Sequence, residues 1–430
     1  MKSIADIKSY LLSREGIEKL KVIYGGHEIE KEQKRCLELL NLHESNFPNV
    51  SGSQANGLFS SPGRTEIGGN HTDHNLGKVL AAGVDLDTLG AATAVNEKMV
   101  TINSEGYPVF QVDLLNLEPV ESEKETPNSL VRGIARYFID KGYKIGGFNC
   151  SVTSRVLPGS GLSSSASFEV LVAAVFNGLF NDNNITNEEM AQAGKFAENN
   201  YYGKPSGLMD QMACSLGGIA GLDFKVPAKP GIRQLNVDFS ELGYALIVTD
   251  TQGDHADLSY AYASMPKEMK VVAEFLGGKT CRDITMDQLL SKSSEVRNSC
   301  GDRAFLRAYH YLKENDRVDA QLAALEQGDG TRFINLVNES GRSSSRYLQN
   351  ISIPGDDKSQ NIAVAIAVAE DVLGDRGAVR VHGGGFEGTT LAVVPLDLIK
   401  EYTSRMNLVF GEGSAIEIAV RNAPAGMIAG

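Results

Sequence analysis

The sequence predicts a mixed α/β protein in two parts, and three observations carry that expectation. Segments with apolar residues at helical spacing alternate with short apolar runs bounded by Gly, Asn and Pro, and these are the two periods that separate helix from strand. The chain has 430 residues, more than a single hydrophobic core usually serves. Near its middle, Val226-Pro227-Ala228-Lys229-Pro230-Gly231 interrupts the pattern, so the boundary between the halves falls within residues 226–240.

The elements follow in order. Ile4, Ile7, Leu11 and Leu12, then Cys36, Leu37, Leu39 and Leu40, predict two helices within residues 3–42. The polar stretch 44–57, with Pro48, Gly52 and Asn56, predicts a linker. Strands are expected at 58–60, 79–84, 99–103 and 109–114, between Gly, Asn and Pro turns. Residues 129–141 have a helical pattern. Phe148, Cys150 and Val152 alternate with polar residues over 147–156, as in a half-buried strand. Beyond Gly161 the period changes, and Phe168, Leu171, Val172, Val175 and Leu179 share one helical face. Thr186-Asn187-Glu188-Glu189 is a capping-box pattern that opens a helix ending near Asn199. The second half opens with a strand at 244–249. Helices are expected across 258–341 and 361–373, with strands at 378–381 and 389–394 flanking a glycine run.

Composition narrows the function classes. Hydrophobic residues make up 42%, enough for a sizeable core. The five cysteines are scattered and odd in number, which predicts reduced thiols and a cytoplasmic protein. No apolar run is long enough to span a bilayer, and residues 1–6 lack an apolar signal core. A net charge of −13 argues against nucleic acid, which demands clustered Lys and Arg. It does not argue against a nucleotide, whose phosphates are held locally by a loop, a helix N-terminus and a metal ion.

Chemistry concentrates in four stretches. Gly63-Arg64-Thr65-Glu66-Ile67-Gly68-Gly69-Asn70-His71-Thr72-Asp73-His74-Asn75 packs an arginine, two carboxylates, two histidines, two asparagines and three glycines into one segment. A plain turn uses Gly and Asn, but has little need of Arg64, His71 and Asp73 together. The second stretch, Pro158-Gly159-Ser160-Gly161-Leu162-Ser163-Ser164-Ser165-Ala166-Ser167, lies between a strand and a helix. Its backbone amides and the helix N-terminus make a phosphate cradle. It is not a Walker A loop, since it lacks Gly-Lys-Ser/Thr, and one serine would suffice as a cap. The third, Gly383-Gly384-Gly385-Phe386-Glu387-Gly388-Thr389, marks a sharp bend or a close approach. In the fourth, Asp210 sits among Leu208, Met209, Met212 and Ala213, where a carboxylate must be paired, protonated or functional. Glu198 closes a helix twelve positions earlier; alone it reads as a solvated charge or a cap.

These stretches carry a resemblance. In order, the Gly-rich segments resemble the three signature motifs of the galactose, homoserine, mevalonate and phosphomevalonate (GHMP) kinase superfamily. The first resembles the galactokinase signature G-R-V-N-L-I-G-E-H-T-D-Y-N. The second resembles G-S-G-L-S-S-S-A-S-x-E-V, unbroken from Gly159 to Val170, and the fourth resembles G-x-x-x-G-I-M-D-Q over Gly203 to Gln211. The resemblance implies a two-domain small-molecule kinase fold with mixed sheets and an active site in the interdomain cleft. The division it suggests is an N-terminal helical extension and linker over 1–55, an N-terminal kinase domain over 56–235 and a C-terminal kinase domain over 236–430.

It also implies roles. Asp210 matches the catalytic carboxylate that takes the proton of the sugar's anomeric hydroxyl, and Arg64 the arginine between that carboxylate and the γ-phosphate. Asn70, His71, Asp73, Gly207 and Tyr262, with Arg64 and Asp210, match sugar-binding positions. Gly159, Ser160, Gly161, Leu162, Ser163, Ser164 and Ser165 match the ATP phosphate loop, and Ser165 and Glu198 the Mg²⁺ ligands. The implied reaction is ATP-dependent phosphorylation of galactose, by a monomer or weak homo-oligomer. Several positions depart from the pattern: Asn70 replaces Glu, Glu66 replaces Asn, Gly68 replaces Ile and His74 replaces Tyr. Near Tyr262, Asp254 stands for a basic residue and Ala261 for Glu; Glu387 replaces a glycine. An amide at position 70 has donors and an acceptor but no charge, which opens the site to a related sugar such as N-acetylgalactosamine, arabinose or a uronic acid. A catalytically silent sugar sensor is a second alternative. A zinc site on His71 and His74 is a third, and it lacks a third ligand at suitable spacing.

Overall fold

A computed structural model of the chain describes residues 2–25, 28–48, 54–156, 159–204, 206–253, 259–386 and 388–430. Asp254 and Glu387, two of the departures noted above, lie outside the described residues.

Three helices, not two, open the chain: α1 (Ile4–Leu12), α2 (Arg14–Tyr24) and α3 (Ile29–Asn46). Ser3 caps α1 in a capping box with Asp6, Ser13 caps α2, and Gly25 ends α2 at φ +76°. Then come β1 (Asn56–Gly68), β2 (Lys78–Val95), β3 (Met99–Ser104), β4 (Phe110–Asp113), α4 (Pro127–Asp140), β5 (Gly147–Ser154), α5 (Ser164–Phe180), α6 (Asn187–Ala197), α7 (Met209–Leu216), β6 (Ile219–Asp223) and β7 (Gly231–Leu235). The remainder is β8 (Tyr244–Asp250), α8 (Ser259–Phe275), α9 (Met286–Ser291), α10 (Ser293–Cys300), α11 (Asp302–Glu326), α12 (Gly330–Ser343), α13 (Asn361–Leu373), β9 (Ala378–His382), β10 (Thr389–Pro395), α14 (Ile399–Phe410), β11 (Ala415–Ile418) and β12 (Gly426–Ala429).

Two sheets result. The larger has the order β12-β1-β2-β5-β3-β4, with β6 paired to β2 and β7 to β6; among the described residues only β3 and β5 run parallel. The smaller, β11-β8-β10-β9, is antiparallel throughout. Neighbouring residues of β1 serve opposite layers, as strand geometry requires. Phe59 packs with Ile134 and Phe138 of α4 and Leu171 and Phe176 of α5. Leu58 packs with Ile7, Leu11, Leu20 and Leu39 of the first three helices. A third cluster joins Ile67, Leu80 and Ala82 of the larger sheet to Leu391 and Val393 of the smaller one, through Val318 and Leu322 of α11 and Phe333 of α12. That shared core aligns the two sheets along one seam.

The N-terminal helices are bolted on by charge as well as by apolar contact. Asp87 of β2 is fully buried and accepts hydrogen bonds from Tyr24 (2.6 Å), Arg35 (2.6 Å), Arg421 (3.3 Å) and Ser60. Burial pushes its carboxyl up, but Arg35 and Arg421 overcome this and hold it below the usual range. Glu32 adds a 2.7 Å pair with Arg155.

β1 and β2 are far longer than the expected 58–60 and 79–84. Ser60, Ser61, Thr65 and Glu66 are polar yet buried, so a hydrophobic pattern cannot find them. β6, β7, β11 and β12 were not expected either. β7 lies inside the 226–240 interval predicted to separate the halves, but it belongs to the larger sheet. β12, from the last residues of the chain, also returns to that sheet and pairs with β1. Among the described residues, no helix is long and apolar enough to cross a membrane.

Candidate active site

The site begins at irregularities in β1. The register with β2 shifts between Pro62 and Arg64 and again between Glu66 and Gly68, and such bulges re-aim side chains. Gly63 lies against the next motif: a Cβ there would stand 3.1 Å from the Leu162 carbonyl, which accepts the Arg64 N–H at 3.0 Å. The Arg64 guanidinium grips Asp210 bidentately, Nε to Oδ1 at 2.8 Å and Nη2 to Oδ2 at 3.0 Å, and donates Nη1 to the Gly161 carbonyl. Ser163 Oγ donates to Asp210 Oδ2 at 2.7 Å. Three of the four stretches therefore meet at one carboxylate.

Asp210 opens α7, and Ser163 precedes α5. Gly159 (φ +81°), Gly161 (φ +73°) and Ser163 (φ +62°) take the left-handed conformation. Strain at a non-glycine residue such as Ser163 persists only where its surroundings hold it, and the bond to Asp210 is one such restraint. Ser160 and Leu162 are buried in the loop, while Ser164 and Ser165 begin α5 half-buried. Gly161 also touches the third stretch; a Cβ there would lie 2.2 Å from Thr389 Oγ1. Burial pushes the Asp210 carboxyl up, but the Arg64 charge, its hydrogen bonds and the Ser163 hydroxyl bring it down to about 2. The same pairing raises Arg64 against the opposing effect of burial.

Glu198 is buried and joined to this group through Gln211, the residue after Asp210. Gln211 Nε2 donates to Glu198 Oε2 at 2.8 Å and to Glu169 Oε2 at 3.0 Å. Lys204 pairs with Glu198 Oε1 at 3.0 Å. Glu169 has no exposure, its Oε1 has no hydrogen-bond partner, and burial and then the Glu198 charge push its carboxyl well above the usual range.

Three of the sugar-binding candidates, Asn70, His71 and Asp73, lie on the loop after β1. Asp73 approaches Gly207 so closely that a Cβ on the glycine would stand 1.9 Å from Asp73 Oδ2. His71 (φ +56°) donates Nε2 to the Gly384 carbonyl at 2.7 Å, and burial holds its imidazole down at about 4, neutral at physiological pH. Tyr262 donates to the Gly385 carbonyl at 3.0 Å. The His71 and His74 rings stack at 6.3 Å, and among the described residues no three His, Cys, Asp or Glu side chains gather as for a metal.

Asn70 stands apart from the other candidates. It is fully buried, and its side chain is committed to the protein. Nδ2 donates to Glu66 Oε1 (3.0 Å) and the Gly383 carbonyl (2.8 Å), and Oδ1 accepts from Asn350 (2.8 Å) and Ser344 (3.1 Å). Glu66 in turn pairs with Arg380 at 2.6 Å, both side chains buried. Relative to the galactokinase signature, Glu and Asn have exchanged places. The single charge now lies at the seam opposite Arg380. Asn70→Glu alone would set two carboxylates against each other where both cannot ionise. We expect it to lower unfolding stability by about 2–4 kcal/mol, and the paired exchange with Glu66→Asn to recover at least half. Urea unfolding of the parent and both variants checks this; Asn70→Glu alone as stable as the parent would overturn it.

Sequence reasoning missed Lys204, Gln211, Glu169 and Arg380. Glu169 and Gln211 lie inside the quoted motifs and were open to suspicion as buried polar residues. Arg380 sits in a strand whose pattern carries no such signal.

Residues 43–94 match the galactokinase galactose-binding signature, and residues 129–218 the GHMP kinases N terminal domain. The structure of Lactococcus lactis galactokinase complexed with galactose is similar at a TM-score of 0.75 and 25% identity, over 90% of this chain and 99% of that one. L. major mevalonate kinase in complex with R-mevalonate follows the same fold at a TM-score of 0.58 and 15% identity, over 87% and 98% of the two chains. So does a D-glycero-D-manno-heptose 1-phosphate kinase from Bacteriodes thetaiotaomicron, at 0.57 and 15%, over 86% and 98%. The chain therefore carries the galactokinase galactose-binding signature and the GHMP kinases N terminal domain on a fold shared with Lactococcus lactis galactokinase, and is a galactokinase-like sugar kinase.

Proposed function

We propose that the protein transfers the γ-phosphoryl group of ATP to the anomeric hydroxyl of galactose, giving galactose 1-phosphate and ADP. The observation that carries this reading is the Arg64–Asp210–Ser163 cluster, where the galactose-binding signature meets the serine loop. Phosphoryl transfer has a loose transition state, so positioning and charge stabilisation dominate. Gly159 to Ser165 and the α5 N-terminus receive the phosphates. His71, Asp73, Gly207 and Tyr262 border the sugar. Asp210 orients the anomeric hydroxyl and accepts its proton. A carboxylate held at about 2 is a weak base. When the γ-phosphate shares the Arg64 guanidinium, the grip on Asp210 loosens and its proton affinity rises.

A buried carboxylate and a serine hydroxyl at the start of α5 suit Mg²⁺, which takes most of its ligands from water and phosphate; Glu198 and Ser165 would hold it, with Lys204 yielding its place on Glu198. Bound there, the ion would neutralise charge on the β- and γ-phosphates. The chain is divided as 1–55, 56–235 and 236–430, with β12 crossing back. The protein works in the cytosol as a monomer or weak homo-oligomer, consistent with its five unpaired cysteines.

The burial of Asn70 favours a second reading, in which a related sugar is the acceptor. Coupled ADP release with galactose, N-acetylgalactosamine, arabinose and galacturonate separates the two, with the phosphorylated position read by NMR. Galactose is expected to give the highest kcat/KM. ADP release with none of them, alongside calorimetric sugar binding, would replace a kinase by a sensor.

A further inference from the structure

The loop between β1 and β2 is strained. Gly69 (φ +85°), His71 (φ +56°) and Leu76 (φ +61°) are left-handed within eight residues. A Cβ on Gly69 would come within 2.4 Å of the Lys78 carbonyl. Some closure is internal, as from Gly77 N–H to the Thr72 carbonyl at 2.9 Å. Such strain needs external restraint, and one helix of the second half supplies it.

That helix is α11. Glu314 Oε1 accepts the Gly69 N–H at 3.1 Å, and His310 Nε2 donates to the Asn70 carbonyl at 3.0 Å. Tyr311 O–H donates to the Asn75 carbonyl at 2.8 Å, and Asn315 Oδ1 accepts the Lys78 N–H at 2.7 Å. Positions 310, 311, 314 and 315 fall on one helical face, and all four residues are buried. The grip is itself braced. A carbonyl can only accept, so His310 carries its hydrogen on Nε2 and receives the Ser343 hydroxyl on Nδ1 at 2.8 Å. Glu314 is held by Ser340 and Arg317. Both ends of the loop are thus fixed by backbone hydrogen bonds, with His71 and Asp73 between them.

We propose that α11 is the template for the sugar-recognition loop, and that His310, Tyr311, Glu314 and Asn315 are positioning residues that set where His71 and Asp73 present themselves to the acceptor. This rests on the sugar reading of the loop given above. The template is read by sugar affinity and not by nucleotide affinity, because no α11 side chain named here bonds to the serine loop.

Losing one buried hydrogen bond corresponds to roughly a tenfold change in an equilibrium. Tyr311→Phe and Asn315→Leu are each expected to raise the sugar KM about tenfold while ATP KM stays within about twofold. Asn315→Asp keeps the acceptor and is expected to restore sugar KM to within about threefold. Amide hydrogen exchange over residues 69–78 should quicken about tenfold in Asn315→Leu, with the α5 amides unchanged. Sugar and ATP KM rising together, or loop exchange unchanged, would overturn the template. If Asn315→Leu does not fold, Tyr311→Phe, which removes a single oxygen, carries both measurements. If the parent phosphorylates no sugar, the functional reading falls and hydrogen exchange alone decides: faster exchange at 69–78 sustains the template, unchanged exchange ends it.

Discussion

Asp210→Asn is expected to lower turnover by about 10²–10⁴-fold, the range for losing a positioned proton acceptor, and Asp210→Ala by at least as much. The amide keeps the shape of the carboxylate but neither its charge nor its basicity, and it leaves Arg64 without its bidentate partner. ATP KM should change less than kcat, because the phosphate loop is built from other residues. The pH dependence follows from the same geometry. Arg64 and Ser163 hold the Asp210 carboxyl at about 2, against burial. The group is ionised at every pH above about 4, so it contributes no acid limb to kcat/KM between about pH 5 and 8. Its contribution to stability is present above the unfolded carboxyl pKa of about 3.9 and is lost as pH falls towards 2. Steady-state and single-turnover rates across pH measure both effects. Near-parental turnover in the Asn and Ala variants would remove Asp210 from the chemistry.

Asp87→Ala is expected to have the largest effect on stability. Asp87 is fully buried between Arg35 of α3, Arg421 near the C-terminal end, Tyr24 of α2 and Ser60 of β1. Removing the carboxylate leaves Arg421 and Arg35 short of an anion in the interior. Breaking a buried pair from one side typically costs about 3–5 kcal/mol. The loss should centre on residues 2–46, because the first three helices meet the larger sheet at this cluster and at the Leu58–Leu89–Ala91 face. Denaturant unfolding with hydrogen exchange tests this. Asp87→Asn, which keeps some hydrogen bonds, is expected to fall between the parent and Asp87→Ala. An Asp87→Ala protein within about 0.5 kcal/mol of the parent, the range of an ordinary surface change, would mean that apolar packing alone holds the extension.

The candidate site was legible because its polar groups sit in local segments. Arg64, Ser163, Glu198 and Asp210 sit in short segments whose glycines, serines and misplaced charges violate the ordinary rules for strands, helices and turns. A helix with a clear period and a capping box, such as α6, was legible for the same reason. β1 was seen only at Leu58–Ser60. Apart from Ile67, its residues beyond Ser60 are mostly polar or small, and two of them are buried against partners more than two hundred residues away, Thr65 against His382 and Glu66 against Arg380. β12 was invisible: four residues make a strand only when β1 offers them an edge.

What the sequence determined by itself is the inventory of candidate groups and the segments that carry them, since side-chain chemistry and local backbone preference are properties of contiguous residues. Only the tertiary structure decided which of these groups come together and which are taken up by hydrogen bonds to the rest of the protein. Asn70, part of the sugar signature, is consumed by Glu66, Gly383, Ser344 and Asn350. α11, unremarkable in sequence, grips the loop beside it. The physical reason is that burial and hydrogen-bond satisfaction depend on what long-range packing brings within about 3 Å, and no local pattern encodes that distance.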